Sequence, residues 1–135
     1  MEQLLRQIRE YSTVSPALET ELEKVVERKT YPKKTKLLEA DQLCYQFHFI
    51  QKGLVRSFYY HDGKDTTYWF YAEDGFFTSW YSFFLQQPSF EYLETLEESE
   101  ILSINYTDYQ TLAVQFPEFG TFARLFTEIE CAAID

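Results

Sequence analysis

The apolar positions of this 135-residue chain change period twice, and the changes divide it into three stretches. Leu4, Leu5 and Ile8 stand at helical spacing in a short opening segment that ends near Tyr11. A second helix has a clearer start. Ser15 is placed to cap it, Pro16 suits its first turn, Glu19 favours its positive end, and Leu18, Leu22, Val25 and Val26 form one apolar face. Pro32 breaks that pattern. From Tyr31 to about Ile104 the period shortens to that of strands, with aromatic or β-branched runs at 36–39, 45–51, 54–60 and 66–71. Lys52-Gly53 divides two of them. Asp62-Gly63 divides the next pair and supplies the positive backbone angles that a tight hairpin needs. Beyond Asn105 helical spacing returns, with Thr107 as a cap, Leu112 and Val114 in the body and Pro117 as an interruption. Phe119, Phe122, Phe126, Ile129 and Ala133 then fall on a single stripe. The pattern predicts N-terminal helices over 1–28, a run of short strands over 29–105 and C-terminal helices over 106–135. The fold class is mainly β with flanking helices, short strands at this spacing marking a sandwich or rolled barrel.

Composition narrows the function more than the fold. A hydrophobic share of 45% is enough for one domain with a real core, and an aromatic share of 19% fits either a ring-packed β core or an aromatic-lined cavity. With 22 acidic against 12 basic residues the formal charge is −10, so the domain by itself should repel nucleic acid. The basic cluster of Arg28, Lys29, Lys33, Lys34 and Lys36 straddles Pro32 and reads as a solvated turn. Cys44 and Cys131 lie far apart and outside metal-like spacing, as free thiols in a reducing, cytoplasmic compartment would. No apolar run is long enough to span a membrane. The histidines, His48 in a strand and His61 in a hairpin turn, offer too few ligands for the metal site of a cupin-like enzyme. No catalytic residues, metal or cofactor are expected.

The segment EDGFFTSWYSFFLQQPSFEYLETLEESEILSI reads as a strand, a Gly-Phe-Phe turn, a short aromatic helix, a Pro-bearing loop, a strand, and a tight acidic turn into another strand. Upstream, Phe49-Ile50-Gln51-Lys52-Gly53-Leu54-Val55-Arg56 leads into an aromatic strand and an Asp-Gly hairpin. This ordered series, over roughly residues 14–135, resembles the cyclic-nucleotide-binding-type sensor domain of Crp-Fnr superfamily transcription regulators, whose fold is a double-stranded, jelly-roll-like β-roll. In that family a Phe-Gly-Glu turn binds the ribose, and an Arg-Ser or Arg-Thr pair after the cassette helix binds the cyclic phosphate. Aligned on Leu96-Glu97-Glu98-Ser99-Glu100-Ile101-Leu102, the Gly-Glu positions fall on Thr78 and Ser79, and the Arg-Ser positions on Ser89 and Phe90. Both anchors are absent, and the phosphate cassette is degenerate.

The candidate pocket is therefore one of rings and hydroxyls: Phe77, Thr78, Ser79, Trp80, Ser82, Ser89 and Phe90, with Arg56 as the one central guanidinium that could take an anion. Such walls suit a neutral or weakly polar effector, whose identity the residues leave open. Strand alternation leaves Glu91 and Glu94 facing either the pocket or solvent. The resemblance implies a homodimer through the stripe of Phe119, Phe122, Phe126 and Ile129, and DNA contact only through a helix-turn-helix domain beyond this chain. The chain looks cut short at Asp135. The alternatives are a constitutive dimerisation module with a closed pocket and, remotely, a cupin-like metalloenzyme.

Overall fold

The computed structural model describes residues 1–134, and their side chains as far as residue 130. Ala133 of the C-terminal stripe, Cys131 and Asp135 thus lie outside the described side chains. The chain divides into two units, one made of residues 1–26 and 107–135, the other of residues 27–106.

The first unit is helical. Helices α1 (Glu2–Arg9) and α2 (Pro16–Val25) precede the strands, and α4 (Tyr106–Gln115) and α5 (Pro117–Ile134) follow them. Ser15 caps α2 as its residue type predicts, its Oγ accepting from the Leu18 N–H at 3.1 Å. The same Oγ donates to Glu118 at 2.6 Å, tying the start of α2 to the first turn of α5. Helix α4 begins at Tyr106 rather than after Thr107.

The second unit holds eight strands among the described residues, in two four-stranded antiparallel sheets. The strands are β1 (Glu27–Tyr31), β2 (Lys36–Leu38), β3 (Gln46–Lys52), β4 (Leu54–His61), β5 (Lys64–Ala72), β6 (Phe76–Phe77), β7 (Tyr92–Thr95) and β8 (Ser99–Asn105), with helix α3 (Trp80–Leu85) between β6 and β7. One sheet runs β1-β8-β3-β6, the other β2-β7-β4-β5. Asp62 and Gly63 take φ of 52° and 76°, closing β4 on β5 by the tight turn the sequence called for. Gly53, the sole link between β3 and β4, has φ +124°, and a Cβ there would collide with Ser99. The basic cluster is only partly a turn: Arg28 and Lys29 belong to β1, and Lys36 opens β2.

The inner walls of the roll follow from register. Tyr71 stacks on Phe77 with ring centroids 5.4 Å apart, and Phe77 stacks on His48 at 4.7 Å, so these rings span from one sheet to the other. His48 pairs with Ser103 and Ile50 with Ile101, which puts all four on the inner wall of the first sheet. Tyr71 pairs with Val55, Val55 with Thr95 and Ser57 with Leu93, giving the facing wall. The opposite face of the first sheet carries Phe47, Phe49 and Phe76, and Phe83 of α3 packs its ring 6.1 Å from Phe47.

Candidate functional site

The cassette is built from β6, α3, the loop to β7, and the loop between β2 and β3. That second loop clamps the first by backbone bonds: Asp41 N–H to Ser89 O at 2.7 Å and Ser89 N–H to Gln42 O at 2.8 Å. Helix α3 runs only six residues and ends at Gln86 in a left-handed conformation, where the Gln86 side-chain amide donates to Phe83 O at 2.7 Å.

The predicted hydroxyls gather here, but their bonding is internal. Thr78, Ser79, Ser82 and Ser89 are all buried. Thr78 Oγ1 donates to Gln46 O at 2.7 Å, and Ser82 Oγ accepts from the Cys44 N–H at 2.8 Å. Ser79 and Ser89 meet at 3.2 Å, while Ser89 Oγ donates to Glu91 O and accepts from the Glu91 N–H. These bonds tie the loop to its own backbone and hydroxyls. Of the rings, Phe77 is wholly enclosed between the sheets. Trp80 is half-buried and stacks on Phe84, and Phe90 is 58% exposed against Tyr81. Phe77 and Phe90 thus occupy different surroundings rather than one pocket wall.

Arg56 is committed elsewhere. Its guanidinium grips both Asp65 oxygens, at 2.7 and 2.6 Å, donates to Glu94 at 3.0 Å and lies 3.9 Å over the Phe58 ring. The bonds to Asp65 lead in holding it charged, well above the usual arginine value. Glu94, its partner on the neighbouring strand, lies on the same outer face. Glu91, three residues earlier and continuing the alternation of Thr95 and Leu93, turns inward and is only 2% exposed. One of its carboxyl oxygens has no hydrogen-bond partner in the protein, nor has the Ser57 hydroxyl, which the register sets opposite Leu93. Burial raises the Glu91 carboxyl to about 7. Sequence reasoning left the side of Glu91 open, and its burial in the fold, in phase with Leu93 and Thr95, is what decides it.

On the inner wall opposite, His48 is buried with Nδ1 2.7 Å from Ser103 Oγ, and burial lowers it to about 3, so it is neutral near pH 7. Among the described residues no three His, Cys, Asp or Glu side chains gather as a metal site requires. No described helix is long and apolar enough to cross a membrane.

The C-terminal stripe is largely spent within its own unit. Phe119, Phe122 and Phe126 are buried, with Tyr11 edge-on to Phe122 and Phe126 and Tyr109 edge-on to Phe119. Their rings are packed within this unit and not presented on its surface as a dimer stripe of the kind the resemblance implied. Only Ile129 of the four stays exposed, at 52%.

Two facing antiparallel sheets with a helical cassette after the sixth strand define a β-roll of the cyclic-nucleotide-binding type. The family model for the cyclic nucleotide-binding domain matches residues 28–116, and the chain belongs to that family. Solved structures agree in fold. A cyclic nucleotide-binding domain from Methylobacillus flagellatus KT superposes with a TM-score of 0.80 at 12% identity, over 97% of this chain and 76% of that one. The N-terminal domain of a transcriptional regulator from Streptomyces coelicolor A3(2) gives 0.72 at 17% identity, over 97% and 94%. The catabolite activator protein of Thermus thermophilus gives 0.72 at 20% identity, over 89% of this chain and 57% of that longer protein. This chain therefore corresponds to little more than half of that regulator. No curated protein matches it in sequence.

Proposed function

We propose that this chain is the effector-sensing and dimerisation domain of a bacterial, cytoplasmic Crp-Fnr-like transcription regulator, a binding module rather than an enzyme, and that it does not answer to cyclic AMP or cyclic GMP. One observation carries the second half of this reading. Next to Ser89 and Phe90, where the family pattern has an Arg-Ser pair, a buried carboxyl stands with an unpartnered oxygen. A cyclic phosphate enclosed there needs a cation or several free donors. Arg56 is held by Asp65 and Glu94, and the cassette hydroxyls are engaged with one another and with backbone. Calorimetric titration of the chain with cyclic AMP and cyclic GMP is expected to give no saturable heat. Micromolar binding of either nucleotide would defeat this reading.

The internal bonding of Thr78, Ser79, Ser82 and Ser89 also favours a second reading, a constitutive dimerisation module whose cassette is permanently shut. Dimerisation is common to both readings, and the exposed Ile129 side of α5 is the surface proposed for it. Sedimentation of the wild type should show a concentration-dependent dimer, and Ile129→Glu should give a monomer that stays folded. A strict monomer at high concentration would remove dimerisation from both readings. DNA contact would come from a further domain of the regulator.

A further inference from the structure

Two observations about the β1–β2 edge remain outside that reading. The first is charge. In a chain of net charge −10, five of the twelve basic residues fall within positions 28–36, a span without an acidic residue. The second is a cavity of about 320 Å3 at this edge, lined by Glu27, Lys29, Tyr31, Lys36, Leu37, Gln46, His48 and Ser103. Glu27 pairs with Ser103 and Lys29 with Ile101, so these β1 side chains lie on the inner wall with His48. The volume is at the lower end of the range for small-molecule sites. A second cavity, of about 300 Å3, shares Leu37, Gln46 and His48 with the first.

The lining is graded. Glu27, Lys29 and Lys36 are exposed and form the rim, and the buried floor is His48 hydrogen-bonded to Ser103. The two ammonium groups are anchored over rings, Lys29 5.2 Å from the centre of Tyr31 and Lys36 5.5 Å from that of Tyr92. The floor offers hydrogen bonds but no charge, since burial keeps the imidazole neutral near pH 7. An anion pushed to the floor would be buried unpaired, whereas an anion at the rim meets the side chains of Lys29 and Lys36 beside Glu27, with Glu94 opposite Lys36 on the neighbouring strand. The surrounding segment 28–36 adds positive charge to this edge in a chain that is otherwise acidic.

We propose that this cavity is a binding site for a small organic anion with an uncharged, hydroxyl-rich body, its charged group held by Lys29 and Lys36 and its body facing His48, Ser103 and Gln46. None of these residues belongs to the cassette. The wall is nevertheless joined to it: Gln46 O accepts from Thr78, and the segment lining the second cavity bonds to Ser82 and Ser89. Only this link, by which an occupant would bias α3, rests on the regulator reading. The binding claim stands without it.

Calorimetry on the whole chain tests the proposal with four probes: gluconate, glucose 6-phosphate, glucose and inorganic phosphate. Gluconate and glucose 6-phosphate separate a carboxylate from a phosphate head, and saturable binding of at least one is expected, with glucose and inorganic phosphate each weaker by about tenfold or more. The double variant Lys29→Glu, Lys36→Glu should weaken the charged sugar by about tenfold or more, as should raising the salt from about 50 to about 300 mM. His48→Phe, which fills the floor, should abolish binding. If it fails to fold, the lysine variant decides, because both lysines are exposed. The proposal is overturned by absence of saturable binding of both charged sugars, by affinity unchanged in the lysine variant, or by inorganic phosphate binding as tightly as either sugar. Each of these results leaves the cyclic-nucleotide and sedimentation tests unaffected.

Discussion

His48 and Glu91 are both ionisable side chains sealed inside the roll, one on the inner wall of each sheet, and the fold accommodates them in opposite ways. His48 has a partner of matching chemistry, Ser103 at 2.7 Å on the adjacent strand, and remains neutral by holding no extra proton. Glu91 lies where the wall is less complete: its backbone is bound by Ser89, but one carboxyl oxygen and the Ser57 hydroxyl find no protein partner. It becomes neutral by keeping a proton. The first wall is a finished polar surface beside an open cavity. The second carries a latent charge beside the cassette, and the two binding proposals rest on that difference.

The largest test of the contrast is the pH dependence of stability. Glu91 holds its proton up to about 7 when folded but only to 4.5 at the ordinary value, so its contribution is full below pH 4.5 and is lost as pH rises through 7. The loss is on the order of 3 kcal/mol. His48 drops from 6.5 to about 3, so its contribution is full above pH 6.5 and is lost as pH falls through 3. Between pH 4.5 and 6.5 the two slopes oppose each other, and urea unfolding of the wild type should show a broad, shallow optimum there. Glu91→Gln should convert this to a curve that rises to pH 6.5 and then stays level. A wild-type curve still rising between pH 7 and 8 would contradict the assignment of Glu91 to the inner wall.

A smaller effect separates satisfied from unsatisfied hydroxyls. Ser89 Oγ serves both backbone groups of Glu91 and touches Ser79, so Ser89→Ala is expected to cost about 1–2 kcal/mol. Ser57 is equally buried but its Oγ has no protein partner, so Ser57→Ala is expected to be neutral or stabilising by up to about 1 kcal/mol. Equal losses in the two variants, measured by denaturant unfolding at one pH, would mean that the two walls do not differ as described.

Local signals made much of this molecule legible. Ser15 before Pro16, and Asp62-Gly63 between aromatic runs, each specify a conformation within a few residues, and both recur in the fold. Strand β1 was illegible for the opposite reason. Its sequence ERKTY has no apolar alternation, because it is an edge strand held by pairing to β8, a partner some 70 positions away. Periodicity revealed that Phe119, Phe122 and Phe126 share a face but not that Tyr11 and Tyr109 already pack against it. The hydroxyl-rich composition of the cassette was visible, but its satisfaction by Cys44, Gln46 and Glu91 depends on loops brought together by the fold.

Arg56 supplies the last and smallest test, because it was the cation most eligible to move the comparison toward anion binding. It lies on the outer face, where Glu94 accepts from Nε and Phe58 lies beneath the guanidinium plane. Lysine retains the charge but loses the planar stacking and the second direction of hydrogen bonding. Arg56→Lys should therefore cost about 1 kcal/mol, through the lost stacking on Phe58 and the lost bond to Glu94. Much of that loss should persist at high salt, since stacking and a half-buried bond are screened less than an exposed ion pair. Binding of the charged sugars at the β1–β2 edge should be unchanged in this variant. A tenfold loss of that binding would put the anion site at Arg56 on the outer face and remove it from the lysine rim.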